Sequence, residues 1–135
     1  MKKQMMCLVA VSVFLAFTGT AMAAGELNFY NWGNYTNPEM VKNFEAKYDI
    51  KVTITDYDSN STMLAKVKAG GHGFDIACPS ANYVKIMREE GLLLEARPDQ
   101  MKNFKNVAPE WRNPDWDPGR HYSAPWQWGT VGMVV

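Results

Sequence analysis

Cysteine is scarce in this chain of 135 residues. Two thiols, Cys7 and Cys78, are too few for a disulfide scaffold or a four-thiolate zinc site. Net charge is missing as well. The 14 basic and 14 acidic side chains cancel, which removes the broad electrostatic footprint of a nucleic-acid binder. The apolar run from Met5 to Phe17 covers 13 residues, short of the roughly 18 needed to span a bilayer. No Gly-x-Ser-x-Gly elbow, His-Glu-x-x-His helix or Gly-x-x-x-x-Gly-Lys-Ser/Thr phosphate loop occurs, so no catalytic site is expected. The two histidines, His72 and His121, lack ligand-spaced partners. Neither a metal nor a cofactor is expected. What is present is ordinary for a globular domain: 47% hydrophobic and 21% charged residues.

The first 23 residues read as a cleavable signal peptide. Lys2 and Lys3 form a positive start, the apolar run follows, and Ala21-Met22-Ala23 places small residues at −3 and −1 of a cleavage point. The mature chain, 24–135, then carries 12 basic and 14 acidic side chains, a net charge of −2. It is expected in the periplasm, with no stable membrane insertion. Cys78 is left as the mature chain's one thiol, so no internal disulfide forms. Its place in Phe74-Asp75-Ile76-Ala77-Cys78 suits a small buried hydrophobe better than a nucleophile.

Apolar periodicity predicts strands and helices in alternation. Leu27–Tyr30 reads as a first strand and Asn31–Asn37 as a loop. Asn37 and Pro38 open a helix carrying Met40, Val41, Phe44 and Tyr48, which Asp49 closes. Ile50, Val52 and Ile54 alternate as a second strand. Asp58-Ser59-Asn60 turns into a helix with Met63, Leu64 and Val67. Phe74–Cys78 is a third, buried strand. A third helix, 81–90, buries Tyr83, Ile86 and Met87 and stops at Gly91. Such alternation means βαβ units and a mostly parallel α/β sheet. Between 99 and 120 prolines dominate, giving a long loop with one short helix at most, in which Asp115 and Asp117 read as solvated. Residues 130–135 read as a strand that stops without a cap, so the chain is expected to be incomplete.

Ligands of parallel α/β sheets bind beyond the carboxyl ends of the strands. That rule selects the loops Asn31–Asn37 and Pro79–Asn82. The first carries two large π faces, Trp32 and Tyr35. The second carries Ser80, Asn82 and the free N–H groups of a helix start. Adjacent Trp-Gly-Asn-Tyr at strand ends favours binding over packing.

Phe29-Tyr30-Asn31-Trp32, Tyr35, Tyr57-Asp58-Ser59-Asn60, Phe74-Asp75-Ile76, Pro79-Ser80 and Pro125-Trp126-Gln127-Trp128-Gly129 together resemble the spermidine/putrescine-binding proteins of bacterial polyamine ABC transporters. The resemblance covers 26–135 and implies the N-terminal lobe of a two-lobe, type II-like periplasmic binding protein, with the second lobe absent from this chain. It implies a monomer that binds polyamine in a cleft and delivers it to an inner-membrane permease, without enzymatic activity. A sensor subunit docking on a signalling receptor and a secreted α/β enzyme are the rival readings. Trp32 and Tyr35 would form an aromatic wall, Gly33 and Asn34 the cleft floor, and Ser80 and Asn82 polar contacts. Asn34 departs from the family, which places Asp or Glu there. An Asn keeps an acceptor but loses the charge, and hydrogen bonds to charged groups contribute roughly 1.5–3 kcal/mol against about 1 for neutral ones. Either the second lobe supplies all the carboxylates or the ligand is less cationic on this side.

Overall fold

The computed structural model describes residues 25–129. The signal-peptide reading of 1–23 and the strand expected at 130–135 lie outside those residues. Three parallel strands form one sheet: β1 (Gly25–Trp32), β2 (Ile50–Tyr57) and β3 (Ile76–Ala77), in the spatial order β2-β1-β3. Helices α1 (Pro38–Tyr48), α2 (Asn60–Ala69) and α3 (Ala81–Glu89) follow β1, β2 and β3 in turn. This is the predicted α/β alternation. Phe29 pairs with Ile54 on one side and Ile76 on the other, which makes β1 the central strand.

Local chemistry explains the boundaries. Asn37 accepts a hydrogen bond from the Glu39 amide (2.9 Å) to cap α1, and Pro38 occupies its first turn, where no N–H is needed. Asp49 ends it in a left-handed conformation (φ 52°) that short polar side chains tolerate. Ser59 caps α2 by accepting from the Thr62 amide. Gly91, at φ 68°, takes the chain out of α3.

The core lies between the sheet and α2 and α3. Tyr30, Tyr57, Met63 and Met87 form it, with Trp32, Leu64, Val67, Phe74, Ala77 and Tyr83 packed around them. The Tyr30 ring stacks on Phe74 at 4.2 Å and meets Tyr57 edge-on at 4.8 Å.

Several expectations need correction. β1 runs two residues further than predicted and includes Asn31 and Trp32, because β2 also extends to Tyr57 and pairs with it throughout. β3 is two residues long, and Ile76 is 47% exposed. There the Asp75 carboxylate accepts the Asn28 amide (2.7 Å), a side chain standing where a ladder carbonyl would. In α3 the buried residues are Val84 and Met87, with Tyr83 and Ile86 half-buried. The apolar stripe of α1 is helical but uncovered: Met40, Phe44 and Tyr48 are all exposed.

The proline-rich stretch is a series of 3-10 turns at Pro98–Gln100, Lys102–Asn106, Pro109–Trp111 and Pro118–Arg120. Three of the four open on proline, whose fixed φ suits a first turn. Asp117 is wholly buried, contrary to the solvated reading. It accepts hydrogen bonds from the Ser123 amide (2.8 Å) and hydroxyl (2.7 Å) and from the amides of His121 and Tyr122 (3.2 Å each). Arg120 is buried nearby, donating to the Trp111 carbonyl and the Ser123 hydroxyl.

Candidate functional site

Because the strands are parallel, Trp32, Tyr57 and Ala77 end on one edge of the sheet. The loop after β1 is held by its own polar groups. The Tyr35 amide bonds the Trp32 carbonyl (3.3 Å), closing a turn in which Asn34 takes φ 63°. Asn31, fully buried, donates its side-chain amide to the Thr36 hydroxyl (2.9 Å) and accepts the Trp32 amide (2.9 Å). The backbone conformation of Asn34 is one that Asn and Asp adopt more readily than most residues.

The Cys78 carbonyl gathers the strand ends. It accepts the Trp32 indole N–H (2.9 Å) and the Tyr57 hydroxyl. The Trp32 ring lies 4.6 Å from Tyr57 and 6.2 Å from Tyr35. Trp32 is therefore core on one face, while Tyr35, 42% exposed, turns to solvent. Burial pushes the Cys78 thiol up to about 11, so at neutral pH it is a protonated, apolar group. Burial is also the leading cause that raises the Tyr57 phenol above its ordinary range. Tyr57 stays a hydrogen-bond donor.

Ser80 begins α3 but does not cap it. Its amide donates to the Asn60 side chain (3.0 Å) and its hydroxyl accepts from the Asn60 amide group (2.9 Å). The hydroxyl keeps its proton and one lone pair for a further partner. Trp32, Gly33, Asn34 and Tyr35 thus share one braced loop, and Ser80 joins it by way of Cys78. Asn82 is exposed on the first turn of α3, and no described hydrogen bond ties it to the others.

The edge also holds residues that sequence reasoning did not place there. Tyr57 and Asn60 come from the end of β2 and the start of α2. Applying the strand-end rule to β2 as well would have found them. Trp126 and Gln127 both donate to the Tyr35 carbonyl (3.3 Å each), and the Trp126 ring meets Phe29 edge-on at 5.4 Å. Beside Gly33 an open depression of about 410 Å³ is lined by Tyr30, Asp56, Tyr57, Asp58 and Thr62. Among the described residues no three His, Cys, Asp or Glu side chains are grouped to hold a metal ion, and no helix is long and apolar enough to cross a membrane.

Comparison with known proteins gives consistent matches. Residues 31–135 match the family model described as bacterial extracellular solute-binding protein. The spermidine/putrescine-binding periplasmic protein of Salmonella typhimurium (strain LT2) is 39% identical over 110 residues, covering 81% of this chain and 32% of that protein. The putrescine-binding periplasmic protein PotF of Escherichia coli (strain K12) is 33% identical over 135 residues, covering 98% and 36%. Among solved structures, the Streptococcus pneumoniae spermidine/putrescine substrate-binding protein PotD superposes with a TM-score of 0.71 at 37% identity, covering 75% of this chain and 31% of that one. The TpPotD lipoprotein of Treponema pallidum gives 0.70 at 34%, covering 76% and 32%. The chain spans about a third of the length of these relatives. Its parallel α/β sheet is the expected fold of such a protein's lobe.

Proposed function

This chain belongs to the bacterial extracellular solute-binding protein family, and from that premise we propose that it forms one lobe of a periplasmic polyamine-binding protein serving an ABC importer. On this reading residues 1–23 direct export and 24–135 build the lobe. A second lobe closes over the ligand, and the closed monomer presents it to an inner-membrane permease. Ligand bridging the two lobes shifts a hinge equilibrium towards closure.

The observation that carries the reading is the pairing of Trp32 and Tyr35 on the braced loop at the carboxyl edge of the sheet, 6.2 Å apart. A polyamine is a flexible methylene chain ending in ammonium groups. Aromatic faces cover the methylenes and attract the cations at roughly 0.5–2 kcal/mol per contact. Ser80, Asn34 and Asn82 offer oxygen acceptors for the ammonium hydrogens, as a desolvated charge requires.

Calorimetry on the intact protein carrying this lobe tests it. Putrescine is expected to bind, while 1,4-butanediol, of the same length without charge, is not. Tyr35→Ala should weaken putrescine by about fivefold, the loss of roughly 1 kcal/mol of cation–π attraction. Equal affinity for diol and diamine would sink the polyamine reading.

A further inference from the structure

The loop after β1 brings no carboxylate to the edge of the sheet, because Asn34 is neutral. The end of β2 brings two. Asp56 is the penultimate residue of β2 and Asp58 follows its last residue, Tyr57. Both line the depression beside Gly33, both are exposed, and neither is paired with a basic side chain or hydrogen-bonded through its carboxylate among the described residues. Exposed carboxylates alone would signify only a solvated rim.

The third group lining the depression is different. Tyr30 is 2% exposed, and its hydroxyl makes no hydrogen bond among the described residues. Yet no fully buried side-chain oxygen or nitrogen there lacks a partner. The phenolic oxygen of Tyr30 therefore reaches open space, and the space its side chain lines is this depression. A buried ring presenting an unpartnered oxygen is a costly arrangement unless something bonds to it. The neighbouring Tyr57 hydroxyl is already committed to the Cys78 carbonyl. Gly33 has no atom within 4 Å of where a Cβ would stand, so the approach from the aromatic loop is open.

We propose that Asp58, with Asp56 and the Tyr30 hydroxyl, forms an ammonium subsite in this lobe, adjoining the Trp32–Tyr35 wall and supplying the negative charge that Asn34 does not. The proposal rests on the polyamine reading above. It adds that one amine of the ligand is held at the end of β2, by acceptors only: two carboxylates and a phenolic lone pair. An ammonium group, with three donors and no acceptor, matches that set.

The test is putrescine calorimetry on the intact protein, comparing wild type with Asp58→Asn, Asp58→Glu and Tyr30→Phe. Asp58→Asn should raise Kd about tenfold and Tyr30→Phe about threefold, the scale of a lost hydrogen bond to a charged group. Asp58→Glu, which keeps the charge, should stay within about threefold of wild type on the same scale. If wild type binds putrescine and Asp58→Asn and Tyr30→Phe bind it equally well, the subsite is overturned and the polyamine reading stands. If wild type does not bind putrescine, both fall. Thermal melts accompany each variant. An Asp58→Asn protein that fails to fold would show a structural role for the carboxylate and overturn the subsite as well.

Discussion

A single carboxylate closes the segment between 108 and 123. Asp117 accepts four hydrogen bonds from His121, Tyr122 and Ser123, and the buried Arg120 guanidinium lies among the same residues. Removing it leaves buried donors without an acceptor and a buried cation without its nearby charge. Asp117→Ala should therefore cost about 2–4 kcal/mol in denaturant unfolding. Asp117→Asn, which keeps an acceptor, should cost less. Cys78 makes an opposite use of burial. Its thiol is pushed from the ordinary 9.0 to about 11, so folding favours the protonated form. The associated stability is complete below pH 9, where the unfolded thiol is also protonated, and is lost as pH rises through 11. At pH 8 iodoacetamide should leave Cys78 unmodified in the native protein and alkylate it in the denatured one, as mass spectrometry of its peptide would record. Asn34 offers a third test. Its φ of 63° suits Asp equally, so Asn34→Asp changes charge without changing the turn. Diamine affinity should rise about tenfold, since a charged acceptor contributes about 1 kcal/mol or more beyond a neutral one. Unchanged or weaker binding by calorimetry would mean that Asn34 does not face an ammonium group.

At the scale of elements, legibility follows the range of the forces involved. The ends of α1 were readable because Asn37, Pro38 and Asp49 act on neighbours within a turn. Asn37→Ala should destabilise by about 1 kcal/mol, measured by thermal melting. The face of α1 was not readable. Periodic Met40, Phe44 and Tyr48 announce a helix, but what covers an apolar stripe depends on distant chain. β3 shows the same gap from the other direction. An apolar run around Ile76 signals extended backbone, and only the placement of Asp75 against Asn28 decides how little of it joins the ladder. The 3-10 turns escaped notice because each is shorter than one period of any apolar pattern. Asp117 escaped because its partners are backbone amides, which no side-chain pattern betrays. The core helix α2 was legible and is vulnerable. Met63 is fully buried, and Met63→Ala should cost roughly 2–5 kcal/mol.

For the whole molecule, the informative contacts are those that span the chain. The candidate loops were found from a rule about strand ends, which needs only the order of elements. That Trp126 and Gln127 grip the Tyr35 carbonyl, 91 and 92 residues away, could not be found so. The aromatic density of Pro125–Gly129 was visible, its destination was not. This clasp ties the last described segment to the candidate site. Trp126→Ala should speed amide hydrogen exchange at Asn34–Thr36 while leaving the β1–β2 ladder protected. Equal exchange in both proteins would show that the clasp carries no load.

The position of β1 at the centre of the sheet bears on how the chain is made. β1 is the first described strand to be synthesised, and both later strands hydrogen-bond to it and not to each other. Its partner β2 arrives 25 positions later, pairing Gly25 with Ile50, and β3 after 47, pairing Phe29 with Ile76. Each new strand finds its template already present, and lengthening the closed loop from the first span to the second adds only about 0.6 kcal/mol of closure entropy. A chain emerging amino end first can therefore add its strands to the sheet in the order of their appearance, without undoing any pairing made before.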